Sequence, residues 1–150
     1  MSKGIINNNP LNIRKVAGTR WKGEKTLSNS PFKGENHNGF VHFESVAWGI
    51  RAACCLLRTY RDKYHLCCIR DIINRWAPPS ENNTEQYIRN VCIWTGFGGL
   101  QRLTENDWPQ LLQAMARQET GIEISREEIM KGIELYKVKS APRLKGAPWL

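Results

Sequence analysis

No stretch of this sequence approaches the roughly 20 consecutive apolar residues that a membrane-spanning helix requires. Residues 1–10 also lack the apolar core of a secretory signal peptide. These absences argue against a membrane-anchored or signal-exported protein, so we expect synthesis in the cytosol without a signal peptide. If the target is a cell wall, the protein must reach it by release or by delivery through another factor.

Metal-ligand spacing is missing as well. The three histidines are scattered, and the five cysteines occur as the doublets Cys54–Cys55 and Cys67–Cys68 and the single Cys92. Neither doublet has the C-x-x-C spacing of zinc or redox sites, and the cysteine count is odd. We therefore predict reduced thiols, no bound metal and no cofactor.

Acidic residues are in the minority, with 14 Asp and Glu against 22 Lys and Arg and a net charge of +8. Such a balance suits an anionic partner: nucleic acid, a membrane surface or an acidic polymer such as the bacterial cell wall. Arg51, Arg58, Arg61 and Arg70 favour nucleic acid, but they alternate with predicted core positions and no nucleic-acid motif accompanies them. We expect no nucleic-acid partner, and a basic nucleic-acid-binding helical protein is the least favoured alternative.

Helical periodicity dominates the chain after residue 45, where apolar residues recur every three or four positions. The pattern predicts helices over about 46–63 and 69–76, from Thr84, from Trp108, and up to about Tyr136. Residues 4–43 are instead rich in turn-forming residues, and Phe40–Phe43 is the best strand candidate. We predict one mainly α domain over residues 1–136, with a small hairpin or loop region near the N-terminus. Residues 137–150 form a basic C-terminal tail.

The predicted helix from Trp108 carries the main candidate for chemistry. Its apolar face continues onto Glu119, and Gly121 is a typical helix stop. Partial burial and the negative end of the helix dipole both raise the pKa of a glutamate, as a general acid near neutral pH requires. The alternative is a glutamate that turns to solvent or pairs with Arg117 or Arg126.

Several segments resemble peptidoglycan-cleaving families. Ala114-Met-Ala-Arg-Gln-Glu-Thr-Gly121 resembles the catalytic-helix motif of lytic transglycosylases and related lysozymes, in which an apolar helix ends in Glu followed by Ser or Thr. Asn8–Arg14, Trp21–Gly23 and Phe40–Ser45 resemble segments of cell-wall glucosaminidases. Asn83–Ile88 resembles a later helix of both families, whose Tyr faces the cleft. The whole chain is also similar to small phage lysis or virion proteins that begin with an Asn-Asn-Asn-Pro segment.

The resemblance implies a lysozyme-like fold and cleavage of the peptidoglycan glycan strand, by hydrolysis or by transglycosylation, with Glu119 as general acid. In those families the Glu helix comes first, whereas here it comes late. A circular permutation would account for this order, because the termini of a domain often lie close together. We expect a monomeric phage lysis protein; the alternative is a non-catalytic virion or cell-wall-binding protein with the same fold.

A glycosidase also needs a base, a nucleophile or a substrate group that stabilises or reacts with the oxocarbenium-like centre. Glu24, Glu35 and Glu44 are candidates for a second carboxylate, although Glu44 also suits the start of a helix. Transglycosylation needs no second carboxylate, because a hydroxyl of the sugar itself attacks.

Polar and aromatic residues of the segments that resemble peptidoglycan-cleaving families are candidates for binding the glycan. Asn8, Asn9 and Asn12 could bond N-acetyl groups, or simply form turns. Trp21 and Trp94 could stack on sugar rings, whereas Trp76 and Trp108 are expected in the core. Phe43 and Tyr87 should line the same cleft as Glu119, core packing being the alternative for Tyr87, and Arg14 and Lys22 should lie at its rim.

Overall fold

A computed structural model describes residues 2–25 and 39–138, so that Glu35 and nearly all of the basic tail lie outside the described residues. The helices are α1 (Lys3–Ile6), α2 (Val46–Tyr64), α3 (Ile69–Trp76), α4 (Thr84–Thr95), α5 (Trp108–Thr120) and α6 (Arg126–Lys137). A short 3₁₀ turn, Glu105–Asp107, leads into α5. The prediction of a mainly α fold is confirmed.

Helix α2 packs closely against α6 at Gly132. A Cβ atom at Gly132 would lie 2.3 Å from the Cβ of Ile50 and 2.7 Å from the carbonyl oxygen of Ala47. The neighbouring side chains of Ile129 and Ile133 are buried. A glycine is therefore needed here for close approach of two helices, which fixes α6 along the long helix of the core.

Helix α5 buries the apolar face that the sequence predicts. Trp108, Leu111, Leu112 and Met115 are all at most 4% exposed. The helix ends at Gly121, whose φ of 76° lies in the left-handed region that favours glycine. The buried face therefore runs up to the last turn of α5, where Glu119 follows.

Residues 40–43 do not form the predicted strand. Their backbone makes isolated bridges, Phe40 with Arg14 and Phe43 with Glu24. Backbone hydrogen bonds join the first part of the extended segment to residues 13–15 and its second part to residues 23–25. The partner changes before a continuous ladder can form, so this prediction is wrong in its element type, although the segment is extended.

The N-terminal segment sits on the end of α5. A Cβ atom at Gly4 in α1 would lie 3.1 Å from Cγ2 of Thr120 and 3.1 Å from Oδ1 of Asn12. Asn8 and Asn12 both adopt left-handed backbone conformations, with φ of 54° and 51°. Asparagine tolerates this conformation better than most residues, so these turns fold the segment back over the last turn of α5.

All five cysteines are free thiols, as the spacing of the doublets predicts. Burial raises the pKa of the Cys54 thiol well above its ordinary value. Within residues 2–25 and 39–138, no three His, Cys, Asp or Glu side chains are grouped in a way that could hold a metal ion. The helices of the same residues are all too short or too polar to span a membrane.

Candidate active site

Glu119 occupies the last turn of α5 and is half-buried. Burial raises the pKa of its carboxyl group above the ordinary value, because the charged form loses hydration. Hydrogen bonds from Asn12 and Tyr87 and the positive charge of Arg14 act in the opposite direction, but burial outweighs them. Glu119 is therefore protonated over a wider pH range than an exposed glutamate, as an acid catalyst requires.

Both carboxylate oxygens of Glu119 are held by donors from distant parts of the chain. Nδ2 of Asn12 donates to Oε1 at 2.8 Å. The hydroxyl of Tyr87 donates to Oε2 at 3.0 Å. The carboxylate consequently joins the N-terminal segment, α4 and α5 at one point.

Tyr87 is positioned by the first turn of α4. That helix begins at the cap residue Asn83, whose side chain accepts a hydrogen bond from the backbone N–H of Gln86. Thr84, from which the sequence predicts this helix, is its first helical residue, and its hydroxyl donates to the carbonyl of Ala77. Burial and the neighbouring Glu119 raise the pKa of Tyr87 well above its ordinary value, so its hydroxyl stays protonated and available as a donor.

A cleft of about 300 Å³ opens beside Asn12. Tyr60 and Trp76 form part of its wall, with their rings packed edge to face at 5.9 Å between centroids. Exposed Arg14 also lines the cleft, whereas Lys22 is not part of the lining. The cleft thus offers aromatic surface, an amide and a positive charge next to the residue that bonds Glu119.

Trp76 and Tyr60 are aromatic cleft residues that the sequence did not indicate as such. Trp76 was expected in the core, but it is half-buried and its indole N–H donates to the carbonyl of Leu11 at 3.3 Å. Trp76 shares the apolar spacing of the buried Ile69, Ile72 and Ile73 in α3, so no local pattern separates it from those core residues.

The other predicted glycan-binding residues have structural contacts. Asn9 is fully buried, and its amide bonds the backbone of Ile13 and Val41 at 2.9 Å. Asn8 donates to the carbonyl of Phe43 at 3.2 Å. Phe43 is 0% exposed, which leaves a sugar ring no surface on which to stack. Of the three asparagines, Asn12 is the one whose side chain bonds Glu119.

Trp21 is likewise enclosed, at 4% exposure, although it lines the cleft with Asn12. Its indole is therefore a supporting residue beneath the cleft surface rather than an open stacking platform. Tyr60 and Trp76 are more accessible than Trp21, since both are half-buried.

The candidate second carboxylates lie in different surroundings. Glu24 is buried, with Oε2 paired to Nζ of Lys15 at 2.7 Å and Oε1 accepting from the backbone N–H of Trp21 at 3.1 Å. Both of its oxygens hold the N-terminal loops. Glu44 is exposed and directly precedes Ser45, the cap residue of α2, as the helix-start interpretation expects. Neither is a hydrogen-bond partner of Glu119.

The chain is similar to a phage protein. Protein P5 of Pseudoalteromonas phage PM2 is 40% identical over 136 residues, which cover 89% of this chain and 81% of that protein. A match of this length spans α2 to α5 wherever it begins. No protein-family profile matches the chain.

Proposed function

The chain belongs to the same family as protein P5 of Pseudoalteromonas phage PM2, and we propose that this phage-associated protein cleaves the glycan strand of bacterial peptidoglycan. The observation that carries the proposal is the half-buried Glu119 carboxyl, whose pKa is raised and whose two oxygens are bonded by Asn12 and Tyr87. Residues 114–121 resemble the catalytic helix of lytic transglycosylases, and we infer the peptidoglycan substrate from this resemblance. The permuted lysozyme-like fold stays a prediction.

In the proposed reaction, protonated Glu119 donates its proton to the glycosidic oxygen while the bond between that oxygen and C1 breaks. The leaving sugar departs as a neutral alcohol, and Glu119 becomes a carboxylate. The N–H of Asn12 and the O–H of Tyr87 already point at its oxygens. Because these bonds strengthen as negative charge develops, they stabilise the transition state more than the ground state.

Of the candidate second carboxylates, those within residues 2–25 and 39–138 are Glu24 and Glu44, and their surroundings support a mechanism with a single carboxylate. Glu24 is bound to Lys15 and to the Trp21 backbone, and Glu44 is exposed at the start of α2. A hydroxyl of the same sugar then attacks C1, a new C–O bond closes an anhydro ring, and the hydroxyl proton passes to Glu119. The acid is thereby restored, and no water is consumed. This is the reaction of a lytic transglycosylase.

The charge of the protein fits this substrate. Peptidoglycan carries carboxylates on its peptide stems, and the chain has a net charge of +8. Arg14 brings one of these positive charges to the cleft. Such a field attracts an acidic polymer and raises its local concentration at the site.

Digestion of purified peptidoglycan tests the proposal directly. Mass analysis should show fragments with anhydro ends, which are one water lighter than hydrolysis products. Fragments with reducing ends would keep the glycosidase assignment but overturn the single-carboxylate mechanism. If wild-type protein releases no fragment under any of the conditions that keep it folded, the enzyme proposal fails.

Removing either donor should change the pH dependence of cleavage. Both hydrogen bonds favour the charged form of Glu119, so Tyr87→Phe and Asn12→Ala should each raise its pKa further. Since the acid works when protonated, activity is lost as pH rises through this pKa. We therefore expect the alkaline limb of kcat/KM against pH to move to higher pH, together with a lower maximal rate.

Tyr136→Phe is a matched control for Tyr87→Phe, because Tyr136 donates its hydroxyl to Glu105, away from the cleft, at 3.4 Å. The alkaline limb of kcat/KM against pH should be the same for Tyr136→Phe as for wild type. If the limb of Tyr87→Phe stays in place or moves to lower pH, Tyr87 does not act on the acid.

A glycan-binding protein without activity is the second candidate. It is favoured by the observation that both oxygens of Glu119 already have hydrogen-bond donors, as in a purely structural tie. Retention of the protein on insoluble peptidoglycan without release of any fragment would select this function.

A further inference from the structure

A second pocket lies on the side of α5 away from Glu119. It holds about 130 Å³ and is lined by Trp94 of α4, by Gln113 and Arg117 of α5, and by Arg126 of α6. Residues 110, 113, 114 and 117 of its lining share one helical face by their spacing, whereas Glu119 lies on the opposite, core-facing side. This pocket is therefore separate from the cleft beside Asn12.

The side chains of the pocket are arranged as a stacking platform with directional donors. The guanidinium of Arg117 lies 4.2 Å from the ring centroid of Trp94, which holds the indole in place. Trp94 nevertheless remains 36% exposed. Nη2 of Arg126 donates to Oε1 of Gln113 at 2.7 Å, so the amide and the second guanidinium are also held in position.

A row of paired side chains leads from Glu119 to this pocket along α4 and α5. Tyr87 bonds Glu119 at 3.0 Å, and Asn90 then donates to Gln118 at 2.9 Å. The row ends where Arg117 covers Trp94. Tyr87 and Trp94 are two turns apart on α4, about 10 Å along the helix axis, which is comparable to the length of a disaccharide.

We propose that the Trp94 pocket is a second saccharide-binding site, which holds a distant part of the same N-acetylated glycan whose cleavage is proposed at Glu119. The inference rests on the proposed function for its ligand class. The exposed part of the indole stacks on the apolar face of a pyranose ring. Gln113 donates one amide N–H to the carbonyl of Ile124 and accepts from Arg126, so its second amide N–H and the remaining guanidinium N–H groups of Arg126 donate to the hydroxyl and N-acetyl oxygens of the sugar.

Single-stranded nucleic acid is the competing ligand, since it also binds aromatic and cationic side chains. The pocket is lined in addition by Glu123, whose carboxylate would lie against a phosphate backbone. An uncharged sugar ring meets no such repulsion. The lining therefore favours the glycan.

The test uses the non-cleaving Glu119→Gln protein and soluble N-acetylglucosamine oligomers as probes, with binding measured by calorimetry. Adding Trp94→Ala should weaken binding of the hexamer about tenfold, since one stacking contact is lost. Adding Ile93→Ala instead is the matched control, because Ile93 is the neighbouring residue on α4 and is 68% exposed. It should leave the affinity for the hexamer unchanged.

The outcomes separate this inference from the proposed function. Equal losses with Trp94→Ala and Ile93→Ala, or unchanged hexamer binding in both, would overturn the second site. Tighter, salt-sensitive binding of a single-stranded oligonucleotide that Trp94→Ala removes would overturn the glycan assignment. If wild-type protein cuts no peptidoglycan but Trp94 still controls hexamer binding, the enzyme proposal fails while the saccharide site stands.

Discussion

Replacement of Glu119 by Gln should lower the rate of peptidoglycan cleavage by about 10²- to 10⁴-fold, the usual loss on removal of a general acid. Glutamine keeps the size of the side chain, and its carbonyl oxygen can still accept a hydrogen bond from Asn12 or Tyr87. It has no acidic proton to give to the glycosidic oxygen. Initial rates on purified peptidoglycan at several pH values measure the loss. Glu127→Gln, on an exposed position of α6, is the control and should cut at the wild-type rate.

Glu119→Gln should also change how the melting temperature depends on pH. The folded-state pKa of Glu119 is raised above its ordinary value, so folding disfavours the charged form. The associated stability is present at acidic pH, below the ordinary carboxyl pKa, and is lost as pH rises through the raised pKa. Glu119→Gln does not titrate, so its melting temperature should equal or exceed that of wild type at alkaline pH, with the difference shrinking toward acidic pH. A variant that melts far below wild type at pH 8 would indicate a structural tie instead.

The second large effect is expected at Gly132, where Gly132→Ala should lower the free energy of unfolding by about 2 kcal/mol or more. The new methyl group would lie 2.3 Å from the Cβ of Ile50 and 2.7 Å from the backbone oxygen of Ala47, and neither atom belongs to a flexible side-chain end. Overpacking of this kind typically costs about 1–3 kcal/mol, and more where backbone must move. Because both contacted atoms move only with the backbone, we expect a cost above the usual range, which leaves a net loss of about 2 kcal/mol or more after the gain of about 1 kcal/mol that alanine brings to a helix.

Thermal or denaturant unfolding measures this loss, which corresponds to a melting temperature lower by about 4–8 °C for a chain of this size. Gly98→Ala is the matched control, because the nearest heavy atom to its new methyl group is Cβ of Gln101 at 3.8 Å. Its free energy of unfolding should stay within about 0.5 kcal/mol of wild type. Equal stability of Gly132→Ala and wild type would mean that α2 and α6 are not in close contact in solution.

The helices were predictable because their signals are local. The apolar spacing predicted a helix over about 46–63, and α2 runs from Val46 to Tyr64. Gly121 predicted the end of α5, and its left-handed φ explains why. The extended segment at residues 40–43 was harder, because its class depends on backbone partners from three other places in the chain, at Asn7, at Ile13 and at Lys25. Nothing within those four residues encodes the change of partner.

The surroundings of Glu119 could also be predicted only in part from the sequence. Its half-buried position follows from the apolar face of one helix, and burial proved to be the main cause of its raised pKa. The choice of Asn12 rather than Asn9 as its partner does not follow from the sequence, since both are asparagines of the same turn-rich segment. Asn9 is directed into the interior and Asn12 toward α5 by backbone turns that only the complete fold determines.

The bond between Asn12 and Glu119 joins residues 107 positions apart. During synthesis on the ribosome, the N-terminal segment emerges well before α5. Its contact with Glu119 therefore cannot form until α5 has been synthesised. Contacts of such long range form late, because the entropy of closing the intervening chain must be overcome first. A nascent or partly folded chain therefore lacks the complete Glu119 site, so any cleavage activity should appear after translation has passed α5.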